Sequence, residues 1–326
     1  MMVRERELLA MSNNGIIRLV KNACEGIARL VFPPSCVFCG VDLQSGNITI
    51  PNAPADSTSK TLPETEIELC SRCIEFIRPN YAAICQACGA GYSEASPKIR
   101  LLNKHEKTVA SDGVTAFNPP LETDGVNLNT GQQLVPSCIH CRRLKMQFQH
   151  CYALGNYEKG IRDAVLTIKS GANDPLAAIL AQLIANKISS MCRTTAKPNP
   201  KSIFDLVIPI PIFWRRRLTR KTIVSELIAR RIALQLKVPY DCKVLRYNRL
   251  TEKQGTLSNT ERTKNVAGAI ELVSPKKVKS KTVLIVDDVM TSGATLNEAS
   301  RVCLQAGAQD IYVAIVARGI GLSLTK

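Results

Sequence analysis

The stretch KTVLIVDDVMTSGATLNEASRVCLQAGAQDIYVAIVARG, residues 281–319, constrains the fold more than any other part of this chain. Residues 283–286 are a short, wholly apolar run, suited to a strand buried on both faces. Asp287 and Asp288 follow at its C-terminal end, where open α/β sheets bind their ligands. Two adjacent carboxylates there can accept hydrogen bonds from a vicinal diol such as that of ribose. Next come Thr291, Ser292, Gly293, Ala294 and Thr295, small residues that let backbone N–H groups approach a phosphate, with hydroxyls as extra donors. They open a helical pattern over 295–306, whose first-turn N–H groups and dipole favour an anion. The order of these parts suits a ribose 5-phosphate. Direct Mg²⁺ binding by the two aspartates, and an ordinary capped helix start, are the competing readings.

The surrounding pattern agrees with a sheet of that kind. Strand-like runs occur at 204–210 and 311–316, and helical patterns at 161–168, 176–184 and 223–236. Strands alternating with helices predict a parallel α/β sheet from about Tyr152 onward.

The first half is built differently. Eight of the 13 cysteines fall into four Cys-x-x-Cys pairs: Cys36/Cys39, Cys70/Cys73, Cys85/Cys88 and Cys138/Cys141. Zinc takes four tetrahedral ligands and a Cys-x-x-Cys turn supplies two, so four turns make two closed, structural sites with no open position for catalysis. The pairing stays open: sequential partners, or the middle two pairs together and the outer two together. His140, beside Cys141, reads as a surface residue, and Cys24, Cys151, Cys192, Cys242 and Cys303 read as buried small residues. Between the pairs the chain is polar and turn-rich, which predicts long loops around metal centres. Apolar residues at helical spacing over 12–32, ended by Pro33 and Pro34, predict a packing helix ahead of the first pair.

The formal charge is +16, and 11 Lys/Arg face 2 acidic residues between Pro209 and Arg249, so this region should attract polyanions. No apolar run reaches the ~18–20 residues of a membrane span, and the start lacks a secretory h-region. A cytoplasmic protein without a membrane span is expected.

VLIVDDVMTSGAT resembles the 5-phosphoribosyl-1-diphosphate (PRPP) loop of type I phosphoribosyltransferases. From about Pro33 to Arg318 the chain resembles one branch, the ComF family, in which a double zinc ribbon precedes that domain. PPSCVFCG, YEKGIRDAVLTIKSG, FDLVIPIPIFWRRRLTR and LTEKQGTLSNTERTKNVAGAIEL carry the likeness, with Thr251, Gln254, Glu261, Arg262 and Asn265 in the last of these. The resemblance implies an α/β, parallel-sheet type I phosphoribosyltransferase fold with an N-terminal cysteine-rich double zinc ribbon. The expected domains are a helix over 1–32, the ribbon over 33–150 and the phosphoribosyltransferase-like domain over 151–326. It also implies Asp287 and Asp288 on the ribose hydroxyls, residues 291–295 on the 5-phosphate, and Arg217 and Arg220 on the diphosphate. Arg262 would reach the ligand from a flap over 251–265. Two structural zinc ions and Mg²⁺ with PRPP are the implied cofactors. A phosphoribosyl ligand, single-stranded DNA and a DNA-uptake helicase are the implied partners. One departure stands out: where the family usually has Arg-Gly-Phe-Asn-Gln, this chain runs Arg220, Lys221, Thr222, Ile223, Val224, Ser225. Two functions follow as expectations, a phosphoribosyl-binding protein of DNA uptake that transfers the group, or a non-catalytic adaptor for single-stranded DNA.

Overall fold

The computed structural model of the chain describes residues 35–43, 69–78, 81, 83–92, 126–127, 132–135, 138, 140–141, 145–171, 173–192, 203–214, 223–251 and 259–320. The helix expected over 12–32, Cys24, Arg217, Arg220 and Gln254 lie outside them. The chain divides into two compact units, 1–74 and 75–326.

In the first unit, a turn at 36–41 is closed by an isolated bridge between Ser35 and Asp42. The second cysteine pair of this unit lies at the start of helix α1 (Ser71–Ile77), where the Cys73 N–H donates to the Cys70 carbonyl at 3.0 Å.

The second unit is organised by a parallel four-stranded sheet in the order β5–β10–β9–β6, formed by β5 (His150–Asn156), β6 (Leu206–Pro209), β9 (Thr282–Met290) and β10 (Asp310–Arg318). Ile285 of β9 pairs with Ile208 on one side and Val313 on the other. Successive side chains point to opposite faces. Val283, Ile285, Ile208 and Val313 therefore enter one core, and Val207, Leu284 and Val286 the other, all of them fully buried. Burying each such side chain contributes about 1.5–3 kcal/mol, so the apolar run at 283–286 is the main anchor of the sheet. Helix α6 (Ala294–Gln305) covers the first face through Leu296, Ala299 and Cys303. Helices α3 (Asp174–Cys192) and α4 (Val224–Leu236) pack together and against the strands.

By length and composition α3 could cross a membrane, since its 19 residues reach a mean hydropathy of 1.2. Most of the helix is buried within the protein instead, including Leu176, Leu180, Ile184 and Ile188. Helix α2 (Lys159–Lys169) is amphipathic and buries Ile161, Val165 and Ile168.

Two smaller sheets complete the unit. Strands β7 (Leu245–Tyr247) and β8 (Ile270–Leu272) pair antiparallel, and α5 (Asn259–Val266) lies between them in sequence and packs on α6. Strands β1 (Ala83–Cys85), β2 (Gly91–Tyr92), β3 (Val126–Asn127) and β4 (Gln132–Val135) form a sheet in the order β2–β1–β4–β3. This small sheet is stitched to the end of β5 by the buried Asn156. Its Oδ1 accepts from the Gly91 N–H at 3.0 Å and its Nδ2 donates to the Gly91 carbonyl at 2.9 Å. Cys85, Cys88, Cys138 and Cys141 share one buried core with Ile285, Val313 and Leu296.

Candidate functional site

The site stands at the C-terminal end of β9. Both neighbouring strands hold this end in place: the Ile210 N–H donates to the Val286 carbonyl at 2.8 Å, and Asp287 pairs with Ile315 of β10. Asp287 and Asp288 are half-buried. The Asp288 amide donates to Asp287 Oδ1 at 2.8 Å, and Lys169 Nζ, at the end of α2, lies 2.9 Å from Asp288 Oδ2. Burial, and after it the charge of Asp288, pushes the Asp287 carboxyl up to about 8, against the pull of the Asp288 amide and Lys169. Asp287 therefore keeps its proton at neutral pH, and Lys169 balances Asp288. The pair can offer oxygen acceptors to a diol without two bare charges side by side.

The chain then turns through Thr291, Ser292 and Gly293 into α6. Gly293 has φ +80°, in the left-handed region that costs other residues about 1–2 kcal/mol. A β-carbon there would lie 3.4 Å from Met290 Sδ and 3.6 Å from Met146 Cε. Ser292 Oγ accepts from the Ala294 N–H at 3.3 Å, and the Asn297 N–H donates to the Gly293 carbonyl at 2.8 Å, which closes the first turn. Thr291 is exposed, while Ala294 and Thr295 are half-buried. Asp287, Asp288 and residues 291–295 thus share one end of the sheet, at the N-terminus of a 12-residue helix, where backbone N–H groups and the dipole favour an anion.

The other expected ligand residues are spread more widely. β6 ends at Pro209, and the buried Ser225 in α4 fixes the following turn by donating from Oγ to the Ile210 carbonyl at 2.9 Å. Arg217 and Arg220 lie outside the described residues. Arg262 is half-buried on α5, and Thr251 is buried. The end of α5 is tied to α6, because the Gly268 N–H donates to Glu298 Oε1 at 2.8 Å while Arg301 pairs with the same carboxylate. That bonding to Arg301 holds Glu298 below its ordinary value.

Three side chains at this end were not singled out from the sequence: Lys169, Asn297 and Arg318. Lys169 had a signal, as a basic residue closing an amphipathic helix before Ser170 and Gly171. Arg318 had one too, as a charge directly after the apolar run Val313–Ala317 of a strand that buries it almost completely.

The cysteines gather sequentially, Cys36 with Cys39, Cys70 and Cys73, and Cys85 with Cys88, Cys138 and Cys141. Zinc–sulfur bonds of about 2.3 Å in a tetrahedron put sulfurs about 3.8 Å apart. The observed separations are 3.7 Å for Cys39–Cys70, 3.6 Å for Cys85–Cys141, 3.5 Å for Cys88–Cys138 and 3.8 Å for Cys138–Cys141. Each group can therefore hold one tetrahedral metal ion. His140 joins neither group; it stacks on Tyr92 with ring centroids 6.2 Å apart. Cys151, Cys192 and Cys303 are buried, as expected, and Cys242 is half-buried.

Comparison with known proteins bears on both halves. The phosphoribosyl transferase domain family matches residues 224–322, from the start of α4 to beyond β10. The chain is similar to the DNA utilization protein YhgH of Salmonella typhi, 28% identical over 186 residues that cover 57% of this chain and 79% of the relative. It is also similar to Competence protein F of Haemophilus influenzae, 27% identical over 198 residues that cover 56% and 85%. Among solved structures, a purine phosphoribosyltransferase from Pyrococcus horikoshii aligns with 46% of this chain and 77% of its own, at 17% identity and a TM-score of 0.28. The allosteric regulatory enzyme of purine biosynthesis aligns with 44% of this chain at 20% identity and a TM-score of 0.28, and the match spans about a quarter of that enzyme (26%). The chain thus joins a parallel sheet, whose later part matches the phosphoribosyl transferase domain family, to two four-cysteine groups, and it is similar to relatives named for competence and DNA utilization.

Proposed function

We propose that the end of β9 binds PRPP or a related ribose 5-phosphate. One observation carries this reading: two half-buried aspartates close a buried strand and lead within a few residues into a left-handed glycine at a helix N-terminus. Asp287 and Asp288 would take the ribose hydroxyls, and Thr291, Ser292, Gly293, Ala294 and Thr295 the 5-phosphate. Arg217 and Arg220 would meet the diphosphate, and Arg262 would approach from α5. Mg²⁺, when bound with PRPP, supplies charge neutralisation for the diphosphate leaving group. Arginines and a closed flap would stabilise the charge developing at the ribosyl centre and exclude water, with no covalent nucleophile. The two cysteine groups would hold structural zinc.

The relatives' names, for DNA utilization and competence, support a role in DNA uptake, and we infer that the protein would act in the cytoplasm beside a DNA-uptake helicase. A second reading, an adaptor for single-stranded DNA, draws on the basic run between Pro209 and Arg249. Lys221 also stands there where the family usually has a phosphate-approaching glycine. Such an adaptor would lose DNA affinity steeply with salt, as counterion release requires.

Calorimetric titration of Mg²⁺–PRPP into zinc-loaded protein and into the Asp287→Asn/Asp288→Asn variant separates the two. Saturable binding that the variant lacks is the expected result. A folded wild-type protein that takes no PRPP would hand the function to the adaptor reading.

A further inference from the structure

Arg318, the last residue of β10, is buried, with 3% of its surface exposed. Its Nη1 donates to the carbonyls of Met290 at 3.0 Å, of Thr291, and of Gly319. The guanidinium therefore grips the backbone at the point where β9 becomes the phosphate loop. Gly319 closes the same contact from the β10 side, its N–H donating to the Met290 carbonyl at 2.8 Å. A β-carbon there would lie 3.0 Å from Thr291 Cγ2. The Arg318 Nε is buried and meets no acceptor among the described residues.

The connection to the second cysteine group runs through the chain itself. Four residues after Cys141, the segment 145–148 lies against the start of α6. Asn297 Oδ1 accepts from the Gln147 N–H at 2.6 Å, and Asn297 Nδ2 donates to the Lys145 carbonyl at 3.2 Å. Met146 lies between these two contacts in sequence, and its Cε would lie 3.6 Å from a β-carbon at Gly293. Phe148, next along, enters the core that also holds the four cysteines. Helix capping alone does not call for this arrangement, because the Asn297 side chain is spent on a segment 150 residues away in sequence.

We propose that Asn297 is a positioning residue that couples the second cysteine group to the phosphate loop, with Arg318 holding the same loop from β10, so that a metal held by the cysteines sets how firmly the loop is preorganised for a sugar phosphate. The inference rests on the sugar-phosphate reading for its consequence, and on the two contacts for its structure. Preorganised donors cost no reorganisation when the ligand arrives, so loosening them weakens binding without removing a ligand contact.

The test is hydrogen exchange at the amides of residues 292–296 in zinc-loaded wild type, Asn297→Ala, Asn297→Asp, Arg318→Met and Arg318→Lys, with Mg²⁺–PRPP titrated into each. Exchange at 292–296 should rise about tenfold in Asn297→Ala and Arg318→Met, with the strand amides at 283–286 and 313–316 still protected. Asn297→Asp and Arg318→Lys should restore part of the protection, and PRPP affinity should fall in the same order. In protein loaded with NMR-active cadmium, Asn297→Ala should move one of the two metal resonances and leave the other in place.

Loop exchange unchanged in Asn297→Ala, a variant at a half-buried position outside the core, would overturn the coupling, as would two unmoved cadmium resonances. The exchange and cadmium arms need no ligand. A wild-type protein that ignores PRPP would count against the sugar-phosphate reading, and those two arms would still decide the coupling.

Discussion

Gly40 and Gly89 hold the same place in the same turn, one in each cysteine group. Each donates its N–H to the carbonyl of the first cysteine at 2.8 Å, with φ +74° and +70°. Cys36 and Cys85 each return a backbone bond to the far side of the turn, at 2.8 and 2.9 Å. The surroundings differ. A β-carbon at Gly40 would meet nothing within 4 Å, whereas at Gly89 it would lie 2.5 Å from Ala153 Cβ and 3.2 Å from the Cys151 carbonyl. The Cys151 N–H also donates to Gln86 inside the second turn, at 3.0 Å. The same metal-binding chemistry thus serves two purposes. The first turn is held by its own sulfurs and backbone bonds. The second is built onto the edge of β5 and shares the core of the phosphoribosyl sheet, so its stability and the sheet's are one quantity.

The largest expected difference follows directly. Gly89→Ala adds a clash with backbone and β-carbon to left-handed strain, and should cost about 3 kcal/mol or more, lowering the melting temperature of the second unit by about 6–12 °C. Gly40→Ala carries only the conformational cost, about 1–2 kcal/mol, and should appear as faster zinc release to a chelator from the first group. Equal effects in melts and metal-release assays would break the comparison.

Asp287 sharpens it from the other end of the sheet. Its folded-state value of about 8 lies above its ordinary 3.8, so between those pH values the folded protein holds the extra proton and loses stability as pH rises. Asparagine cannot ionise. Asp287→Asn should therefore stabilise the protein at pH 8, by about 1–3 kcal/mol once the full shift is discounted for partial exposure, and the gain should vanish near pH 4. If the second group belongs to this core, the same variant should slow metal release from Cys85, Cys88, Cys138 and Cys141 at pH 8. A pH-independent gain, read by denaturant titration, would contradict the sign.

Lys169→Met should have the smallest effect. The pair with Asp288 is partly exposed, so its loss should cost about 1 kcal/mol or less in stability. Its removal should be seen chiefly as a change in the salt dependence of PRPP binding.

The sheet and its loop were largely legible in the sequence. The run at 283–286 is apolar on both faces, which only a central parallel strand requires, and the helices expected at 223–236 and 295–306 fall on α4 and α6. β5 was not legible as a strand. It ends in Gly155 and Asn156, and its central residues are buried on both faces, so it shows no alternation. The four cysteine pairs announced metal sites, but spacing could not choose between pairings. What decides the pairing is tertiary: Cys85 and Cys88 flank a turn bonded to β5, and Cys138 and Cys141 precede the segment bonded to α6. Lys169, Asn297 and Arg318 escaped for the same reason, because their partners, Gly319 apart, lie between 27 and 152 residues away.

The measurement closest to the central claim is a crystal structure of the zinc-loaded protein grown with Mg²⁺–PRPP. The expected density places the 5-phosphate against the backbone N–H groups of residues 292–295 and the ribose hydroxyls on Asp287 and Asp288. Phosphate density on the basic run between Pro209 and Arg249, with the end of β9 occupied only by water, would contradict it.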